Sequence, residues 1–302
     1  MSQVPYLKIV DGFSSSAQVL RREFDRKFEN PLSTLSDRFC WDYWHVPDQY
    51  TAVRTPAEYY FSKNVFSKFH KTLSNWGLRN LGCASLSTIW LSYYVDGCEQ
   101  RLHSDSPHGP WAFVFSLTKD FGKAFLGGET LLMKGEFLDF WKNHRVDQGV
   151  EENQLYHKIA PKFNRLTVFD PRHPHGVSRV SGSRDPRQAR LVLHGWFTQP
   201  GPVLSGGLQK KSVQKFLSGL LKDLETERLT SVDLTGTICF RLAIRGSGEI
   251  ARVEVLTDTL HEREMNNLEL SRTRLWLFER LKRSSFGLQK SPGTLVLPLN
   301  FD

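Results

Sequence analysis

The stretch RLHSDSPHGPW, residues 101–111, sets His103 and Asp105 one residue apart between aromatic and β-branched runs. Side chains on an extended segment alternate with period two, so residues i and i+2 point the same way. An imidazole and a carboxylate so placed can occupy two neighbouring positions on one metal ion. A third ligand has to come from elsewhere, and VFDPRHPHGVSRV offers His175, with His173 beside it. Two imidazoles and one carboxylate form the facial set that suits non-haem Fe(II) and leaves three positions open for substrates and dioxygen.

The elements that must position these groups are short. Between residues 87 and 197 the runs STIWLSYYV, WAFVFSLT, GGETLLMK, NRLTVFD, HGVSRV and ARLVLHGWF read as strands separated by turns. Six such runs without intervening helices predict an antiparallel sandwich or barrel rather than βαβ units. Ahead of them, YLKIV reads as a strand and SSSAQVLRREFDRKF as a helix with Val19, Leu20, Phe24 and Phe28 along one face. Residues 31–60 read as an ordered, aromatic-rich loop region, and 64–77 as a second helix. Segment 39–61 is open to two readings, a substrate wall or a packed loop, of which packing is preferred.

Four sequence elements, in order, resemble the Fe(II)/2-oxoglutarate-dependent dioxygenases of the prolyl-4-hydroxylase-like branch. They are YVDG before H-x-D (Tyr94 to Asp105), FVFSLTKDF with FLGGETLL, LTVFDPRHPHGVSRV, and RLVLHGWF. The resemblance runs from about Tyr94 to Trp196 and extends toward residue 5. It implies a mainly β fold, a double-stranded β-helix (jelly roll) with flanking helices. It also implies Fe(II) held by His103, Asp105 and His175, with 2-oxoglutarate and O2 as cosubstrates and ascorbate as a supporting reductant. His175 is preferred to His173 because the family places its ligand immediately before Gly-Val. Arg190 is expected to pair with the distal carboxylate of 2-oxoglutarate, since a guanidinium fork matches that anion in charge and geometry. Arg184 and Arg187 are alternatives, but they lie in the polar turn SGSRDPRQ.

Where several relatives carry a cosubstrate-binding tyrosine, this chain has Ser116; Tyr94, Ser116 or Thr118 are the candidates to replace it. Trp111, Thr130 and Trp196 are expected near the substrate, His108 at the rim, and Gly127 and Gly128 as backbone devices. The implied activity is that of a 2-oxoglutarate-dependent dioxygenase (EC 1.14.11.-). It hydroxylates a C–H bond of an amino-acid, peptidyl or natural-product substrate and releases succinate and CO2. Related halogenases replace the carboxylate ligand with a small residue, so Asp105 favours hydroxylation. The competing reading is a non-catalytic jelly-roll binding module with a vestigial metal site and a partner-binding C-terminal domain.

Domain boundaries are expected at 1–200 for the oxygenase domain, 201–211 for a Pro/Gly-rich linker and 212–302 for a small α+β accessory domain. The last shows a helical stripe (Val213, Phe216, Leu217, Leu220, Leu221, Leu224), a hairpin around GSG, a second helix and the strand GTLVLPLNF. It resembles the C-terminal domain of TonB-type proteins, with an implied role in carrier-protein recognition or homodimer contact; His261 and Cys239 there are read as structural.

The 302 residues are 39% hydrophobic and 24% charged, ordinary values for a globular protein. The net charge of +8 is spread along the chain without a basic tail or lysine run. It is read as a solvated basic surface that attracts acidic small molecules, not as a nucleic-acid footprint. No apolar run is long enough for a transmembrane helix, no secretory leader is apparent, and the cysteines Cys40, Cys83, Cys98 and Cys239 show no paired spacing. These features together predict reduced thiols, no membrane partner and a cytoplasmic location.

Overall fold

The computed structural model describes residues 4–29, 41–105, 108–119, 121–138, 149–227, 234–262 and 267–301. In chain order the strands are β1 (Leu7–Asp11), β2 (Asp42–Val46), β3 (Tyr50–Pro56), β4 (Cys83–Leu86), β5 (Trp90–Tyr94), β6 (Glu99–His103) and β7 (Trp111–Ser116). Then come β8 (Phe125–Leu126), β9 (Thr130–Met133), β10 (Tyr156–Ile159), β11 (Arg165–Phe169), β12 (His175–Val177), β13 (Ser181–Gly182) and β14 (Arg190–Pro200). The chain divides into two compact units, one of residues 7–73 and 86–198, the other of residues 4–6, 74–85 and 199–301.

The first unit is a large curled antiparallel sheet in the order β1-β11-β7-β14-β5-β3-β6-β12-β9-β10, with β2 added beside β3. This is the antiparallel architecture the strand-rich pattern predicts, and the jelly roll the resemblance implies. The run RLVLHGWF forms the heart of the sheet because its apolar residues can be buried on both faces: Leu191, Val192 and Leu193 are all buried. The helix Ala17–Glu29 flanks the sheet with Leu20 and Phe24 fully buried, as its spacing predicts, while Val19 is exposed. In the helix Lys63–Asn80, Phe69 packs on Phe115 of β7 with ring centroids 4.8 Å apart.

Residues 42–56 differ from expectation: they form a hairpin, β2 with β3, in register from Asp42↔Arg54 to Val46↔Tyr50. The alternation YTAVRT supports a strand, but the density of polar and aromatic residues around it masks the period. Residues 39–40, and with them Cys40, lie outside the described residues.

The second unit contains β15 (Val203–Gly206), β16 (Leu234–Ile244), β17 (Ile250–Asp258), β18 (His261–Glu262) and β19 (Gly293–Phe301), with helices Lys210–Thr226 and Asn267–Lys282. Strand β16 lies between β17 and β19, and β15 closes the far side of β19. Val213, Phe216, Leu220 and Leu224 of the first helix are buried with Phe240, Leu242, Leu277 and Leu295 in one core. The expected stripe is thus correct, apart from the exposed Leu221. The expected linker at 201–211 is corrected: Val203–Gly206 pairs with β19 from Val203↔Val296 to Gly206↔Gly293. Its Pro/Gly content serves entry to and exit from that strand. Among the described residues, Cys83, Cys98 and Cys239 are buried and joined in no disulfide, and no helix is long and apolar enough to cross a membrane.

Candidate metal centre and cosubstrate cavity

His103 is the last residue of β6 and His175 the first of β12, and the two are direct partners across the antiparallel pair. Cross-strand partners share a face, which brings the imidazole centroids to 4.4 Å. Asp105 lies just past the strand, where its backbone N–H donates to the Pro171 carbonyl at 2.9 Å. The intervening Ser104 turns away and donates to the Arg172 carbonyl at 3.0 Å. Asp105 then spans both rings, with Oδ1 3.4 Å from His103 Nε2 and Oδ2 3.3 Å from His175 Nε2.

The tautomers of both rings follow from their other nitrogens. His103 Nδ1–H donates to the Arg101 carbonyl and His175 Nδ1–H to the His173 carbonyl, each at 2.9 Å. Both Nε2 atoms are therefore left as acceptors facing a carboxylate. Burial alone would raise the Asp105 carboxyl, yet the facing imidazoles hold it well below the usual carboxylate range. Burial likewise opposes a charged His103, but Asp105 and the Arg101 carbonyl outweigh it and raise that pKa. The Gln100 amide lies 3.1 Å from His103 Nε2, but two acceptors facing an anion still favour a cation between them. A proton or a divalent metal answers that need, and carbonyl-oriented imidazoles are the usual setting of metal-ligating histidines. The ligand atoms of His103, Asp105 and His175 lie within 4.8 Å of one another. They are the one set of three or more His, Cys, Asp or Glu side chains so placed among the described residues. His173 stands outside the set, its Nδ1 turned to the Met133 carbonyl at 3.2 Å.

The three side chains open into a cavity of about 420 Å³ that also reaches Arg190, Tyr94, Thr130, Trp196 and His108. Arg190 starts β14 directly opposite Tyr94 on β5, and its guanidinium lies 4.6 Å over the tyrosine ring. The residue is 1% exposed; Nη2 donates to Thr130 Oγ1 at 3.3 Å, while Nε and Nη1 have no hydrogen-bond partner. Burial lowers the Arg190 pKa and raises that of Tyr94, which the guanidinium opposes. A buried cation with two unanswered N–H groups is costly unless an anion completes it, so the donor set fits a carboxylate-bearing cosubstrate. Gly128 makes the space: at φ +77° its missing Cβ would come 3.1 Å from Arg190 Cδ.

The remaining expected residues divide. Thr130, expected near the substrate, is buried and bonded to Arg190. Trp196 lines the cavity and stacks on His108 with centroids 4.7 Å apart. Trp111 is corrected: Ala112 and Val114 of β7 line the cavity, so alternation turns Trp111 to the opposite face, where it is fully buried. Ser116 and Thr118 are corrected as cosubstrate contacts. Ser116 Oγ donates to the Pro161 carbonyl at 2.8 Å, Thr118 Oγ1 to the Leu191 carbonyl at 3.2 Å, and neither lines the cavity. Arg184 and Arg187 pair with Asp96 and Asp185 in the polar turn.

Two cavity groups are absent from the sequence reading. His194 stands four residues after Arg190 on the same face of β14, and its Nε2 lies 2.7 Å from Ser92 Oγ. Burial, then Arg190 and Arg54, push its pKa down to about 3, so it is neutral. Arg54, on β3, is the second. Period two along RLVLHGWF could have found His194; Arg54 is legible only once residues 50–56 are seen as a strand.

Residues 89–198 match the sequence profile of the 2OG-Fe(II) oxygenase superfamily. This segment is a 2OG-Fe(II) oxygenase domain. Oxygenases of this superfamily work with Fe(II), 2-oxoglutarate and O2. Among solved structures, a Pseudomonas putida prolyl-4-hydroxylase is 15% identical, with 66% of this chain and 95% of that chain covered and a TM-score of 0.44. A Trichoplax adhaerens prolyl hydroxylase in complex with a hypoxia inducible factor peptide is 16% identical, covering 65% and 84%, at a TM-score of 0.42. HygX from Streptomyces hygroscopicus, with nickel and 2-oxoglutarate bound, is 12% identical, covering 63% and 81%, at 0.41. No curated protein matches the chain.

Proposed function

We propose that the oxygenase domain hydroxylates a C–H bond of an amino-acid, peptidyl or natural-product substrate, with release of succinate and CO2. The observation that carries this reading is one cavity shared by His103, Asp105, His175 and the half-satisfied guanidinium of Arg190. His103, Asp105 and His175 would hold Fe(II), and Arg190, with Thr130 and Tyr94 against it, would hold the distal carboxylate of 2-oxoglutarate. Iron and cosubstrate together supply the oxidising chemistry when bound. The chain supplies the rest. Backbone carbonyls keep both Nε2 lone pairs aimed at one point, and Asp105 stays ionised beside them. Arg190 fixes one end of the cosubstrate by charge and shape. His194, held neutral, adds no competing cation beside Arg190. The second unit holds none of these residues; its assignment to carrier-protein or homodimer contact is a proposal resting on its sequence.

Anaerobic titration of the full chain with Fe(II) and then 2-oxoglutarate should produce a visible charge-transfer band that neither component gives alone. Admission of O2 with ascorbate should then release succinate. Absence of both iron and 2-oxoglutarate binding would falsify the oxygenase reading and leave a binding module.

A further inference from the structure

Arg54 is the second cation of the cavity, and nothing in the preceding reading uses it. Its guanidinium is held between two indoles, over the Trp44 ring on one side and 4.0 Å from the Trp90 ring centroid on the other. Tyr50 packs edge-on to Trp44 at 5.2 Å. The two rings are inclined 51° to each other, so they wedge the guanidinium and leave its outward N–H edge as the free bonding direction. Among the described residues Arg54 makes no hydrogen bond or ion pair, and its buried Nε is unpartnered. Asp42, its register partner on β2, is exposed and contributes only Coulombic attraction.

Charge balance then says what is missing. Asp105 is the one carboxylate among the described lining residues, against two arginines. On the oxygenase reading, a divalent metal and Arg190 bring three positive charges. Asp105 and the two carboxylates of 2-oxoglutarate bring three negative ones, so these groups cancel. Arg54 remains, half-buried and without an ion pair, and a partly desolvated charge is ordinarily paired. The position is also distinct from the cosubstrate clamp. Arg54 lies opposite Ser92 on β5, whereas Arg190 lies opposite Tyr94, two residues further along β5 and on its other side.

We propose that Arg54, framed by Trp44 and Trp90, is the specificity-determining anchor for an oxyanion, carboxylate or phosphate ester, on the substrate. This rests on the oxygenase reading and narrows it to anionic substrates whose apolar part lies against the aromatic wall.

The test uses the full chain loaded with Mn(II) and saturated with 2-oxoglutarate, so that the Arg190 subsite is filled. Three pairs of probes, hexanoate and hexanamide, 3-phenylpropionate and 3-phenylpropionamide, phenyl phosphate and phenol, are titrated by paramagnetic broadening of their proton resonances. The charged member of at least one pair should bind tenfold or more tightly than its neutral partner. Arg54→Gln should cut that preference below twofold while 2-oxoglutarate affinity stays within twofold, and Arg54→Lys should keep part of it. Whether phosphate or carboxylate is preferred identifies the oxyanion. No charge preference in the wild-type chain, or a preference that survives Arg54→Gln, overturns the proposal. So does loss of 2-oxoglutarate binding in Arg54→Gln, which would make Arg54 a cosubstrate group. The wild-type comparison stands even if neither variant folds. Failure of the wild-type chain to bind 2-oxoglutarate at all overturns the oxygenase reading, and this proposal with it.

Discussion

Replacing Arg190 with glutamine separates a cosubstrate role from a packing role. In the native protein Nε and Nη1 are buried without partners, and Nη2 reaches Thr130. Each charge-assisted hydrogen bond to a carboxylate contributes about 1.5–3 kcal/mol. Two such bonds make about 3–6 kcal/mol, or roughly a hundred- to ten-thousand-fold in 2-oxoglutarate affinity at about 1.4 kcal/mol per decade. The same substitution removes a buried charge that has no counter-ion in the ligand-free state, so it should leave the apoprotein's unfolding midpoint unchanged or raised. Isothermal titration of the Mn(II)-loaded variant with 2-oxoglutarate reads the first effect, and thermal unfolding without metal reads the second. Arg190→Lys should fall between, since it keeps the charge and loses the fork. The reasoning is refuted if Arg190→Gln binds 2-oxoglutarate within about threefold of the wild type, or if it loses stability and affinity together.

Four further outcomes are expected. Asp105→Ala, which takes away the carboxylate both imidazoles face, should reduce Fe(II)-dependent succinate release at least about 100-fold, since losing a group that merely orients a metal ligand costs about 10–100-fold, with unchanged circular dichroism; turnover near wild type would exclude this ligand set. Gly128→Ala places a side chain at φ +77° against Arg190 Cδ, at a cost of about 1–2 kcal/mol in urea unfolding and with weakened 2-oxoglutarate binding. Gly127→Ala should be worse for folding, because its Cβ would meet the Arg179 carbonyl, which cannot move without the backbone. Finally, the hydrogen bond from Arg165 holds Asp11 below its ordinary 3.8, so the pair stabilises β1 above that pH and ceases to as pH falls through the folded value. Asp11→Asn should cost under about 1 kcal/mol at pH 7, since the carboxylate is largely exposed, and the difference should shrink and vanish in acid-unfolding curves below pH 3.8, as the lowered carboxyl protonates.

What could be seen in the sequence follows from how far each signal reaches along the chain. His103 and Asp105 are legible because alternation is local, and Arg190 because RLVLHGWF resembles the closing strand of the family, with its basic residue six before the Trp. That His175 faces His103 depends on pairing between β6 and β12, a register that local period cannot supply. The hydroxyl assignments fail for a related reason. Ser116 has the parity of Ala112 and Val114, but at its end of β7 the nearest acceptor is the Pro161 carbonyl, and the backbone claims it. Trp111 misleads because an aromatic beside a ligand pair looks like a wall, while a shift of one residue on a strand reverses its face. Arg54 is hidden by composition: its strand is interleaved with residues that also suit loops.

Strand β6 is a narrow seam. It meets β3 through two registered pairs, Tyr50↔Gln100 and Thr51↔Glu99, and β12 through two more, His175↔His103 and Val177↔Gln100, with an irregularity between them. The metal-ligand candidates sit on this seam, so an ion held by His103, Asp105 and His175 would add a tie where the ladder has fewest rungs. Occupying the site would then brace this side of the cavity as well as complete its ligand set.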